Sequence, residues 1–314
     1  MKKSIFILLI LIIGFNSCKK DVLDKENLIE LTDIGNNKGN LNGFYYLPPS
    51  HNSNLPIVVV LHGCSQTAVQ VSNDLEWNKL ANKYGFVVLY PEQKMINNSS
   101  LCFNWFLQSD NEKEKGELVS IISMIEMLQS KNDINANEIF VTGMSAGAAM
   151  TINLLAAYPE VFNAGASLAG MPYKAVKDIF DEKTSDQLGN YIRNQNLSFT
   201  GIYPSLMILQ GKKDLVVNIE NANEIEKQWT NIFSQNLIYQ DTIFQYDYNS
   251  EIHIKKQIIN GNLVYEKVIF DKLGHSVPID PGNDETQGGK EALFTKDVDY
   301  YASYWIANFF GLIP

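Results

Sequence analysis

The stretch Glu138-Ile-Phe-Val-Thr-Gly-Met-Ser-Ala-Gly-Ala-Ala-Met150 constrains this chain more than any other part of it. Its first half is apolar and β-branched, the composition of a buried strand. Its second half opens an alanine-rich run that continues to Tyr158-Pro159 and reads as a helix. Between them lies Gly143-Met-Ser145-Ala-Gly147. A chain that passes from strand to helix within so few residues must turn sharply, and only small neighbours allow that. Gly143 and Gly147 remove side chains that would clash, and Ala148 and Ala149 let the helix lie close to the sheet. A G-x-S-x-G pattern arises by chance in many loops. The strand before it and the helix after it mark this one as a nucleophile elbow, with Ser145 exposed on a strained turn.

A serine hydroxyl is a weak nucleophile at neutral pH and needs a base, and the base needs a carboxylate to hold its tautomer. In α/β-hydrolases these follow in the order serine, acid, histidine. Downstream, Pro204-Ser-Leu-Met-Ile-Leu-Gln-Gly211 reads as an apolar strand, and Asp214 follows it in a loop. Leu263-Val-Tyr-Glu-Lys-Val-Ile-Phe270 alternates as a strand and leads into Leu273-Gly-His275-Ser276. Asp214 and His275 are therefore the expected acid and base. Asp271 competes for the acid role but stands close before His275, where a loop charge is the simpler reading. His253 sits inside an Ile-His-Ile-Lys alternation and reads as a strand face, and His51 lies in a polar loop.

Leu55-Pro-Ile-Val-Val-Val-Leu-His62-Gly63-Cys64 is a buried strand that breaks at His-Gly. The loop after this strand and the residue after the nucleophile supply the backbone donors of the oxyanion hole in this fold. That assigns the N–H groups of Cys64 and Ala146. His62 reads as a structural imidazole that holds the loop.

The N-terminus reads as a targeting segment. Met1-Lys-Lys is a positive start, and Ile5–Ile13 is an apolar run too short to span a bilayer comfortably. Phe15-Asn-Ser-Cys18 then resembles the lipobox of bacterial lipoproteins, with Phe where Leu is commoner. The expectation is a signal peptide over 1–17, lipid on Cys18, a polar tether over 18–40 and a catalytic domain over 41–314. The implied location is the outer membrane, periplasm or cell surface of a bacterium. An ordinary signal peptide with an incidental cysteine is the alternative. Export leaves Cys64 and Cys102 as a pair; outside the cytoplasm such a pair usually closes, the alternative being two buried thiols. A net charge of −10 with no basic patch argues against nucleic acid. No His/Cys/Asp cluster has metal-ligand spacing, so neither metal nor cofactor is expected.

The remaining segments alternate. Helices are expected at Trp77–Tyr84, Gly116–Ser130, Ala222–Phe233 and Tyr300–Phe310, and strands at Gly85–Pro91 and Phe162–Leu168. Strands alternating with helices imply one α/β domain, with a mostly parallel sheet covered on both faces.

Several of these segments together resemble the polyhydroxybutyrate depolymerase family of esterases, of the α/β-hydrolase superfamily. They are Leu61-His-Gly-Cys-Ser-Gln66, Val87-Val-Leu-Tyr-Pro-Glu-Gln93, Cys102-Phe-Asn-Trp-Phe106, Gly143-Met-Ser-Ala-Gly147, Ala169-Gly-Met-Pro-Tyr173 and Gly274-His-Ser-Val-Pro-Ile-Asp-Pro-Gly282. The tail segments Gln287-Gly-Gly and Ser303-Tyr-Trp-Ile-Ala-Asn-Phe-Phe-Gly311 are also similar, so the likeness runs over about residues 41–314. The resemblance implies a secreted serine ester hydrolase with Ser145, Asp214 and His275 as its triad, and a Cys64–Cys102 disulfide. It places Trp105 beside the substrate cleft, with plain core packing as the alternative. The implied substrate is a hydroxyalkanoate oligomer or polymer. Family members often carry a further cysteine after Pro-Tyr, where this chain has Lys174. Polymer depolymerases also append a binding domain; none follows here, which suits soluble oligomers. The broader family implies a second reading, a feruloyl or acetylxylan esterase, and a third from another class is an inactive glycan-binding surface lipoprotein.

Overall fold

Residues 28–49, 54–131, 134–174, 183–234 and 241–314 are described in the computed structural model. The expected signal peptide and Cys18 lie outside the described residues, as does His51. No helix among the described residues is long and apolar enough to cross a membrane.

The β-branched runs form the centre of a ten-stranded sheet. Strands β1 (Ile29–Glu30), β2 (Asn42–Tyr46), β3 (Leu55–Leu61), β4 (Val87–Glu92), β5 (Ile134–Met144), β6 (Ala164–Leu168), β7 (Ser205–Gly211), β8 (Asp241–Asn249), β9 (Ile252–Ile259) and β10 (Asn262–Phe270) lie in the order β1-β2-β4-β3-β5-β6-β7-β10-β9-β8. The block from β4 to β10 is parallel throughout. β1 and β2 close one edge antiparallel, and the β8–β9 hairpin extends the other. A parallel block must be covered on both faces. Accordingly Ile57, Val59 and Leu61 of β3 point into one core, and Val58 and Val60 point into another.

Helices α1 (Ala68–Leu75), α2 (Trp77–Tyr84) and α7 (Ala302–Phe309) cover the second core; α3 (Gly116–Lys131), α5 (Ser185–Arg193) and α6 (Glu220–Ser234) cover the first. Helix α4 (Ala146–Ala157) is buried along its whole length. Its small residues explain how: a Cβ on Gly147 would sit 2.3 Å from the Leu61 carbonyl oxygen, and one on Gly143 2.5 Å from the Gly147 carbonyl carbon. Strands β11 (Val277–Ile279) and β12 (Thr295–Asp297) pair separately, just beyond His275.

The expected tether needs correction where it is described. Ile29 and Glu30 pair with Tyr45 and Phe44, Leu31 is buried in the first core, and Gly39 N–H donates to Ser120 Oγ at 2.8 Å. Residues 29–31 and Gly39 therefore pack on the domain, ahead of the expected boundary at 41. The apolar residues in this stretch are too sparse to show periodicity, yet a single buried leucine and a two-residue pairing suffice to dock it.

Candidate active site

The turn from β5 into α4 holds Ser145 at φ 55° and ψ −117°. A non-glycine residue rarely adopts this geometry, and it is kept here by its surroundings. Ser145 N–H donates to Leu168 O on the neighbouring strand at 2.9 Å, while the glycines on either side let the backbones approach. The hydroxyl stands at the carboxyl end of the parallel strands, where ligands bind in open α/β sheets.

Two loops from the same end reach it. The loop after β7 carries Asp214 and the loop after β10 carries His275; a Cβ on Gly211 would lie 2.2 Å from Leu273 O, so these loops run in contact. His275 Nε2 lies 3.0 Å from Ser145 Oγ, and His275 Nδ1 lies 2.8 Å from Asp214 Oδ2. An ionised carboxylate only accepts, so Nδ1 carries the proton toward Asp214 and Nε2 is left to accept from the serine hydroxyl. The Asp214 side chain is fully shielded, and Oδ1 takes the amides of Val216 and Val217, each at 2.8 Å. Gln210 Nε2 approaches Oδ2 at 3.4 Å. Burial pushes the Asp214 carboxyl up, but the hydrogen bond from His275 and those two amides outweigh it and hold the group below its usual range.

Asp271, the competing acid, pairs instead with Lys212 at 2.6 Å and with His253 Nε2 at 3.2 Å. His253 is on β9, as its alternation suggested, and also contacts Asp247.

The loop expected to carry one backbone donor runs close to Ser145. A Cβ on Gly63 would stand 3.7 Å from Ser145 Cβ, so the His-Gly-Cys loop comes into contact with the serine. Gly63 N–H is taken by Gln66 Oε1 at 2.8 Å, and Ser65 N–H by Ser100 O at 2.8 Å. The Cys64 N–H between them has no hydrogen-bond partner among the described residues. Ala146 opens α4, in the first turn whose N–H groups have no acceptor within the helix. Two amides thus remain available beside Ser145.

His62 holds this loop. It is buried, with Nδ1 on Gly63 O at 2.6 Å, Nε2 accepting from Gln93 N–H at 3.0 Å, and its ring against Phe103 at 4.7 Å. Burial pushes its pKa down, against the opposing pull of the Gly63 carbonyl and Glu92. A neutral ring with its proton on Nδ1 satisfies both bonds. Cys64 and Cys102 are joined by a disulfide, which ties the loop to the segment bearing Trp105. Trp105 is half-buried against the first core, its carbonyl accepts from Asn153 of α4 at 2.8 Å, and its ring meets Phe106 edge-on. Leu215, next to Asp214, is 99% exposed, so the acid loop also presents an apolar residue to solvent.

Sequence reasoning did not anticipate Gln66, Gln93 and Gln210. Gln93 and Gln210 stand at or just past a strand end and Gln66 stands in the loop after β3, and only the fold shows what each touches. Among the described residues Asp280, Asp297 and Asp299 are the one acidic group close enough to share a cation, and none bonds to Ser145, His275 or Asp214.

The sequence profile of the family described as Esterase PHB depolymerase matches residues 41–236. Poly(3-hydroxyalkanoate) depolymerase C of Paucimonas lemoignei is 34% identical over 297 residues, covering 91% of this chain and 70% of that protein. Acetylxylan esterase A of Emericella nidulans is 28% identical, covering 89% of this chain and 96% of its own. Among solved structures, the acetyl xylan esterase from Aspergillus awamori superposes with a TM-score of 0.67 at 25% identity, over 79% of this chain and 93% of that one. With its parallel sheet and serine-bearing elbow, the chain belongs to the esterase PHB depolymerase family and is a carboxylic ester hydrolase of the α/β-hydrolase fold.

Proposed function

We propose that this hydrolase cleaves esters of hydroxyalkanoate oligomers or polymer through an acyl-enzyme. The observation that carries the mechanism is the unbroken line Ser145 Oγ, His275, Asp214, and we assign the oxyanion donors to the Cys64 and Ala146 amides. Ser145 Oγ attacks the ester carbonyl while His275 Nε2 takes its proton. The carbonyl oxygen becomes an oxyanion, which the two amides stabilise; each such donor is worth about 3–4 kcal/mol. His275 then protonates the leaving alcohol. Water, deprotonated by the same nitrogen, releases the acyl group and restores the serine. Asp214 keeps the imidazole oriented and stabilises its protonated form.

The choice of hydroxyalkanoate follows the higher identity to a poly(3-hydroxyalkanoate) depolymerase, 34% against 28% for an acetylxylan esterase. The second reading, acetyl or feruloyl release from plant polysaccharide, is favoured by the 96% coverage of that acetylxylan esterase and by the superposed fold. Purified protein should take up a fluorophosphonate at Ser145 and hydrolyse hydroxybutyrate oligomers faster than acetylated xylan or methyl ferulate, with Ser145→Ala inert. A preference for acetylated xylan would install the second reading. No labelling and no turnover would leave the glycan-binding reading. The N-terminal pattern supports export and lipid attachment at Cys18; loss of labelled fatty acid in Cys18→Ala is the expected outcome, and an unlabelled wild type would refute it.

A further inference from the structure

Glu117 is a carboxylate with no exposure to solvent, and the reaction outlined above does not use it. It sits in the first turn of α3, where the positive end of the helix favours a negative charge. Among the described residues, every hydrogen bond of its side chain is accepted from a donor. Oε2 accepts the backbone N–H of Asn104 at 2.7 Å, and Oε1 accepts Asn104 Nδ2 at 2.9 Å and the side-chain amide of Gln93.

These donors lead to the two loops around the nucleophile. The Gln93 side chain also donates to Cys102 O at 3.1 Å, and its backbone N–H fills the acceptor nitrogen of His62. His62 in turn donates to Gly63 O, one residue before Cys64. The Cys64–Cys102 disulfide closes the circuit covalently. Asn104 precedes Trp105, whose carbonyl is tied to α4 through Asn153. A single buried carboxylate thus anchors a ring that runs through His62, Gly63, Cys64, Cys102 and Gln93 onto a rigid helix.

We propose that Glu117 is a positioning residue for the oxyanion hole: through Gln93 and His62 it fixes where the Cys64 amide points. The inference rests on the acyl-enzyme reading of this site. A donor aimed at the oxyanion acts in the transition state, and a displacement of well under an ångström weakens it without altering how the resting ester binds. Glutamine has the same shape, but its NH₂ would face one of the donors that both carboxylate oxygens now accept. Burial pushes the Glu117 acid up to about 8 against the pull of the Gln93 and Asn104 donors, so above that pH the exchange also turns charge-assisted bonds into neutral ones.

The test uses the folded chain and p-nitrophenyl acetate, with turnover counted per serine titrated to completion by a fluorophosphonate. Glu117→Gln is expected to lower kcat about 10- to 100-fold with KM within about twofold, a displaced donor costing less than a deleted one. Affinity for phenylboronic acid, whose tetrahedral adduct on Ser145 occupies the oxyanion hole, should fall in parallel. Asn104→Ala, which removes one donor and keeps the carboxylate, should move both quantities the same way by a smaller factor and serves if Glu117→Gln does not fold. Retention of kcat per titrated site within twofold in whichever variant folds would overturn the proposal. So would a fall in kcat with unchanged boronate affinity, the mark of a merely structural role. A wild type that neither turns over ester nor takes up fluorophosphonate would instead defeat the acyl-enzyme reading itself, before any variant is compared.

Discussion

At the scale of single residues, the site depends on one carboxylate kept charged inside the protein. Asp214 has a folded pKa below its ordinary value, because the bonds from His275, Val217 and Val216 together outweigh burial. The sign follows: its contribution to stability is full above the unfolded carboxylate value and is lost as pH falls through the lower, folded one. Asp214→Asn should therefore melt below the wild type at neutral pH, with the gap closing below about pH 4. A gap that stays constant from pH 7 to pH 3 would count against this linkage. At neutral pH the same change should reduce kcat by about 10⁴-fold, since an amide can present the wrong partner to Nδ1. The three residues brought together here were legible because strand ends and chain order restrict where such groups sit. Gln93, Gln210 and Glu117 were not. A polar residue at a strand end or in a helix's first turn carries no spacing signal, and its role appears only when distant loops meet around it.

Elements were legible where burial imposes a period. Helix α2 starts and stops where its apolar spacing and Gly85 imply, and β7 and β10 fall within a residue of the alternating runs. Strand β8 was silent because its described side chains are exposed on both faces, which leaves no alternation to read. Helix α1 was silent too, since its capping box of Thr67 and Gln70 sits among mixed residues that showed no clear stripe. The loops between elements are held by other means. The Cys64–Cys102 bond spans 38 residues, which in the chain-entropy account adds about 3–4 kcal/mol of stability. Cys102→Ser should lower the melting temperature by about 6–16 °C at the usual conversion for a domain of this size. It should also slow acyl transfer, because the ring that presents the Cys64 amide is opened. Differential scanning calorimetry beside ester kinetics separates the two effects; a variant that loses stability alone would show that hydrogen bonds suffice to hold the loop.

For the molecule as a whole, the question is where the folding unit begins. The family profile starts at residue 41, and so did the boundary expected from composition. The structure gives the preceding stretch several contacts. Leu31 is only 4% exposed and packs with Leu41 in the first core; Leu31 N–H donates to Gly43 O at 2.8 Å. Gly39 is pressed so closely on α3 that a Cβ there would fall 2.5 Å from Glu117 Cα. The segment therefore covers the turn of helix that holds the buried carboxylate. Burying one leucine contributes about 1.5–3 kcal/mol. The two-residue β1 pairing adds little beside that, because so short an edge strand satisfies few hydrogen bonds. A chain starting at residue 41 should thus melt about 3–12 °C below one starting at residue 28. Scanning calorimetry on the two purified forms decides it. Equal melting temperatures would mean that residues 28–40 rest on the domain without stabilising it, and the boundary would return to 41.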